Sequence, residues 1–167
     1  HSLLPIMKLR VAQPRVILDI NQIAVLQGWQ EEEGQLRIGA LVRHAEVEYA
    51  QALTESYPLL GKTARLIADP PIRNRGTVCG SLAHADPNSD WGAAMLALRA
   101  DVEIIGAKGI RKVAIDDFFV DTFTTCLEED ELVSAVLIPA PAGKVGARYL
   151  KLERKAGDFA IVGVALN

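Results

Sequence analysis

Scarcity narrows the field first. Only 2 of the 167 residues are cysteine, Cys79 and Cys126, and no CxxC spacing exists. A zinc ribbon, a cysteine-held iron–sulfur cluster and a disulfide framework are therefore excluded as the organising chemistry. Histidines number 3, and His84 and Asp86, the pair nearest in sequence to a ligand set, sit in an expected loop without a second histidine beside them. No metal site is expected from that spacing. No apolar run approaches the roughly 20 residues that cross a bilayer, and no secretory signal pattern is visible, so a soluble, cytoplasmic protein without a membrane span is expected. Neither GxGxxG nor GxxxxGK[ST] occurs, which removes the Rossmann fingerprint and the Walker A loop. Ser81 stands in no GxSxG elbow, and Asp116-Asp117 suits a helix cap better than paired acid–base work. With a net charge of −3, a general nucleic-acid surface is not expected.

What is present is a globular composition, 50% hydrophobic and 23% charged, long enough for one core or two small ones. The densest turn chemistry lies in Ile67 to Asp90, IADPPIRNRGTVCGSLAHADPNSD. Pro70 and Pro71 prevent the preceding apolar helix pattern from continuing. Arg73 and Arg75 follow. The small residues of Gly76-Thr77-Val78-Cys79-Gly80-Ser81 then leave backbone amides little shielded, a composition that suits an anionic, phosphate-bearing ligand. The same glycines also suit plain turns that bind nothing.

The run IADPPIRNRGTVCGSLAHADPNSDW resembles the second flavin loop of the FAD-binding subunits of molybdenum hydroxylases, the family of the aerobic carbon monoxide dehydrogenase medium subunit and the xanthine dehydrogenase flavin domain. That loop typically reads IRNxGTxGGNLAHADPxxD. The segments HSLLPIMKLR, DDFFVDTFTTCLEEDELV and YLKLERKAGDFAIVGVA agree with the same family in the same order, so the resemblance covers nearly the whole chain. It implies an α+β, PCMH-type FAD-binding domain and an FAD-dependent oxidoreductase subunit. Electrons would pass from iron–sulfur clusters through FAD to an external acceptor. Its implied partners are a molybdopterin-binding large subunit and a [2Fe-2S] small subunit. A cofactor-free assembly module and a nucleotide-binding regulatory domain of the same fold remain as rivals.

Residue by residue, the resemblance implies that His1 and Ser2 are what remains of the first pyrophosphate loop. Thr77, Val78, Cys79 and Gly80 would wrap the pyrophosphate by their amides, with Ser81 and His84 next to the cofactor. Asp90 would accept hydrogen bonds from ribityl or ribose hydroxyls, Val133 would hold the ring system, and Lys151 would lie near the isoalloxazine edge. Two positions depart from the pattern: Cys79 replaces a glycine, placing a side chain where close approach is expected, and Ser81 replaces an asparagine. At Thr122 the family often carries a tyrosine that covers the flavin.

Along the chain, helices are expected over residues 3–10, 42–49, 56–68 and 91–100, the last capped by Ser89 or Asp90. Strands are expected over 16–20, 101–105, 110–115, 131–139, 148–153 and 160–166, with a hairpin over 27–39 turning at Glu33-Gly34. Residues 141–146 read as a linker. The resemblance divides the chain into 1–140, a middle FAD-binding subdomain lacking the family's N-terminal subdomain, and 147–167, the beginning of its C-terminal domain.

Overall fold

The computed structural model describes residues 1–167. A short helix, α1 (Leu3–Lys8), leads into an irregular, largely exposed segment and one 3₁₀ turn at Ala24–Leu26. The strand expected over 16–20 does not form. Val16, Ile17 and Leu18 are exposed and pair with no strand; β propensity produces no strand without a neighbour to complete its ladder. Strands β1 (Trp29–Glu32) and β2 (Gln35–Gly39) then form the expected hairpin. Glu33 and Gly34 have φ of 50° and 76°, the double positive φ of a type I′ turn.

Three helices follow, α2 (His44–Tyr49), α3 (Gln51–Ser56) and α4 (Pro58–Ala64). The helix expected over 56–68 is shorter, ending as α4 at Ala64, and α3 has no counterpart among the expected helices. Tyr57 separates α3 from α4 with φ −125° and ψ 70°, and Pro58 restarts the helix where a missing N–H costs nothing. The prolines at 70 and 71 act likewise: they open α5 (Pro70–Arg73), whose N-cap Asp69 accepts from the Ile72 N–H at 3.0 Å. Helices α6 (Val78–His84) and α7 (Asp90–Ala97) come next, then β3 (Asp101–Gly106), β4 (Gly109–Ala114) and the single turn α8 (Ile115–Phe118). A small hairpin, β5 (Phe119–Asp121) with β6 (Thr124–Thr125), precedes β7 (Leu132–Pro139). The last elements, β8 (Arg148–Leu152) and β9 (Val162–Leu166), pair only with each other.

Antiparallel pairing orders the main sheet β1-β2-β7-β3-β4. Central β7 is buried on both faces from Val133 to Ile138, as a strand covered on both sides must be. Helices α6 and α8 pack on the sheet, and α4 and α7 link it to the β8–β9 pair. Trp91, Leu82, Met95, Ile38 and Val136 are fully buried in one core. An antiparallel sheet with unevenly spaced helices is the α+β class that the sequence implied.

Candidate cofactor site

The stretch read as an open loop is largely helical. Thr77 caps α6, its Oγ1 accepting from the Gly80 N–H at 3.0 Å. The turn before it is sewn to the start of α2: the His44 N–H donates to Gly76 O at 3.0 Å and the Val78 N–H to Val42 O at 3.1 Å. Val78 thus departs from the expected set of wrapping amides, because its own is already bonded and its side chain is fully buried. The Gly80 amide is turned onto Thr77. Only the Thr77 and Cys79 amides of the four carry no protein partner.

Cys79 is less obstructive than its sequence position suggests. Its thiol points into the core, donating to Ile38 O at 3.7 Å, and burial pushes it up to about 12. No side chain therefore stands in front of the 78–80 backbone. Arg73 also differs from expectation: it is buried, donating to Glu48 Oε2 at 2.7 Å and to the carbonyls of Ile67 and Ala68. Glu48 and the chain consume this cation. Arg75 alone of the pair lines open space.

That space is a groove of about 890 Å³. Helix α6 contributes Cys79, Gly80, Ser81 and His84, with Thr77 just ahead, and Val133 of β7, His1 and Ser2 also line it. Eight of the eleven residues implied by the resemblance converge there, while Val78, Asp90 and Lys151 stand outside it. No local pattern marks several other lining residues, among them Leu41, Ile67, Phe159 and His44. At the groove margin Arg111 grips Glu131 through two 2.7 Å contacts and holds its carboxyl down to about 2, so this acid is neutralised locally. His84 meets Phe123 with ring centroids 5.2 Å apart.

Asp90 and Lys151 meet across 61 residues of sequence in a buried network. Asp90 Oδ2 accepts from Lys151 Nζ at 3.0 Å and Oδ1 accepts from the Tyr149 hydroxyl at 2.8 Å. Lys151 also donates to Leu66 O at 2.9 Å, and its side chain is 2% exposed. Burial raises the Asp90 carboxyl more than the Lys151 and Tyr149 contacts lower it. Glu153 Oε2 lies 3.4 Å from Lys151 Nζ and makes no hydrogen bond. Neither Ser89, which occupies the N-cap position of α7, nor Asp90 caps that helix by its side chain. The network fastens β8 to α7.

A second buried pair includes the groove-lining His44. His44 Nδ1 accepts from the Trp91 indole N–H at 3.0 Å. Burial, and then the positive charges of Arg43 and Arg73, lower the His44 pKa to about 4. The imidazole is consequently neutral in the fold at neutral pH. An unfolded chain takes up a proton near the ordinary pKa of about 6.5, whereas the folded chain resists until about 4. Stability should therefore fall as pH drops through that window, by about 3 kcal/mol for the full shift. Urea titrations from pH 7 to pH 4 should show this loss in the parent and a flatter profile in His44→Gln; parallel profiles would refute it.

Comparison with known proteins identifies the family. Residues 1–141 match the family model described as the FAD binding domain in molybdopterin dehydrogenase. The chain belongs to that family. Its cofactor is FAD. The carbon monoxide dehydrogenase medium chain of Hydrogenophaga pseudoflava is 43% identical over 166 residues, covering 99% of this chain and 58% of that one. The nicotine 6-hydroxylase medium subunit of Paenarthrobacter nicotinovorans is 38% identical, with the same 99% and 58% coverage. A solved carbon monoxide dehydrogenase from Hydrogenophaga pseudoflava, lacking the Mo-pyranopterin moiety of its molybdenum cofactor, superposes with a TM-score of 0.96 at 44% identity, covering 99% of this chain and 57% of that one. The chain thus spans under three fifths of these relatives' lengths. No helix is long and apolar enough to cross a membrane.

Proposed function

We propose that this chain serves as the FAD-holding, electron-transferring component of a molybdenum hydroxylase of the carbon monoxide dehydrogenase type, acting in the cytoplasm. It would stand between the iron–sulfur clusters of a [2Fe-2S] small subunit and an external acceptor, with a molybdopterin-binding large subunit as second partner. In the same reading, residues 1–140 form the FAD-binding subdomain and 147–167 begin a further domain.

The observation supporting this is the convergence of His1, Ser2, Thr77, Cys79, Gly80, Ser81, His84 and Val133 on one groove. Its volume of about 890 Å³ lies at the upper end of the roughly 300–1,000 Å³ usual for ligand sites, which fits a dinucleotide. The chemistry of the lining fits too. Thr77 and Cys79 offer unpaired amides, Gly80 is exposed without a side chain, and Arg75 adds a cation. Bound FAD supplies the redox chemistry that no side chain here provides. The chain's contribution is to hold phosphates by backbone donors and to pack Val133 against the ring system. Relatives named for carbon monoxide and for nicotine share this fold, so substrate choice belongs outside this chain.

Purification of the full-length subunit carrying this chain tests the reading. A yellow protein whose flavin band bleaches on reduction is expected. A colourless protein that still binds its partner subunits would favour the assembly module, and a bound nucleotide that never reduces would favour a regulatory domain.

A further inference from the structure

The geometry points to His44 as a hydrogen-bond donor to the bound dinucleotide, presenting its Nε2–H to a phosphate oxygen beside Gly76. This deepens the reading of the groove as an FAD site and rests on it. Because the Trp91 indole donates to Nδ1, Nδ1 can only accept, and the ring proton of the neutral imidazole must sit on Nε2. No protein group accepts from Nε2, and it is not among the sealed, unpaired atoms of the interior. The side chain as a whole is only 5% exposed, yet it lines the groove.

Gly76 explains how a ligand reaches it. A Cβ added at Gly76 would stand 2.6 Å from His44 Nε2, so glycine keeps that nitrogen uncovered. The neighbours at this point are Arg75, Thr77 and Arg43. Arg43 is turned partly inward, donating to Arg75 O and, at 2.6 Å, to Asn21 Oδ1. Two guanidinium groups, a free amide at Thr77 and a neutral N–H all line this groove, a donor-rich lining whose complement is an acceptor-only anionic group such as a phosphate. A donor whose tautomer is fixed by a buried partner binds without first reorganising. Trp91 is then a positioning residue, acting through His44.

The test uses the apo form of the full-length subunit, titrated with FAD, with ADP and with riboflavin. His44→Phe should weaken FAD and ADP binding about tenfold to a hundredfold, as losing a hydrogen bond to a charged group does, and leave riboflavin binding unchanged. Trp91→Phe should give a smaller loss for the same two ligands, because Nδ1 is then free to take the proton. His44→Gln, which keeps a donor, should recover part of the affinity. In the parent protein, nitrogen-15 NMR should show the His44 Nε2–H resonance shifting downfield when ADP is added. Equal FAD and ADP affinities in a folded His44→Phe would overturn the proposal. Should that variant fail to fold, an Nε2–H resonance unmoved by saturating ADP overturns it instead. A parent protein that binds no FAD at all defeats the FAD-site reading and this proposal with it, a result distinct from equal binding by parent and variant.

Discussion

Replacing Gly80 by valine should empty the flavin site while leaving the fold standing. Gly80 is exposed on the groove, and an added Cβ would lie 2.6 Å from Thr77 Oγ1, the atom that accepts the Gly80 N–H. The threonine side chain can rotate away, so the backbone need not move; what is lost is the cap, typically about 1 kcal/mol. A non-glycine residue within α6 returns part of that through reduced backbone entropy in the unfolded chain. Melting should therefore shift by only a few degrees. The branched side chain, however, occupies the path by which phosphate would approach the 77–80 backbone. An affinity loss of about a hundredfold or more is expected, on the order of 3 kcal/mol, read as the flavin-to-protein ratio of the purified full-length subunit. An unchanged ratio in a normally melting variant would remove this groove from consideration as the FAD site.

The second large effect concerns stability. Lys151→Met should destabilise the protein by about 3–5 kcal/mol, because it leaves the Asp90 carboxylate buried with only the Tyr149 hydroxyl for company. In a protein of this size that corresponds to a fall in Tm on the order of 10 °C. Asp90→Asn in the same background should restore much of the loss, since the uncompensated charge is gone. A single-variant cost below about 1 kcal/mol would show that Asp90 and Lys151 are not coupled. The resemblance places Lys151 near the isoalloxazine, whereas the structure gives its ammonium three protein neighbours, Asp90, Leu66 and Glu153.

Legibility in the sequence followed the range of the forces. The Glu33-Gly34 turn, the α7 helix and β7 rest on local spacing and turn chemistry, and they stand in the structure as expected. Residues 69–73 misled because proline reads as a stop, and only the Asp69 side chain bonding the Ile72 amide turns it into a start. Residues 16–20 misled because β-branched composition says nothing about whether a partner strand exists. Cys79 looked like an obstruction because the direction of a side chain on α6 depends on the helix being there. The pairing of Asp90 with Lys151 and of His44 with Trp91 spans 61 and 47 residues, and no local pattern records it. The motif over residues 76–90 supplied the candidate site; the three-dimensional fold decided which amides in it are free.

Segments 1–4 and 157–159 face the same groove although they are far apart along the chain. Such a vestibule has no partial version. The wall they share exists only once the stretch around Phe159 has folded back onto residues 1–4, and contacts closed over so long a loop form late. Ligand binding in this groove should therefore follow chain collapse, and quenching of flavin fluorescence in a refolding experiment would time it.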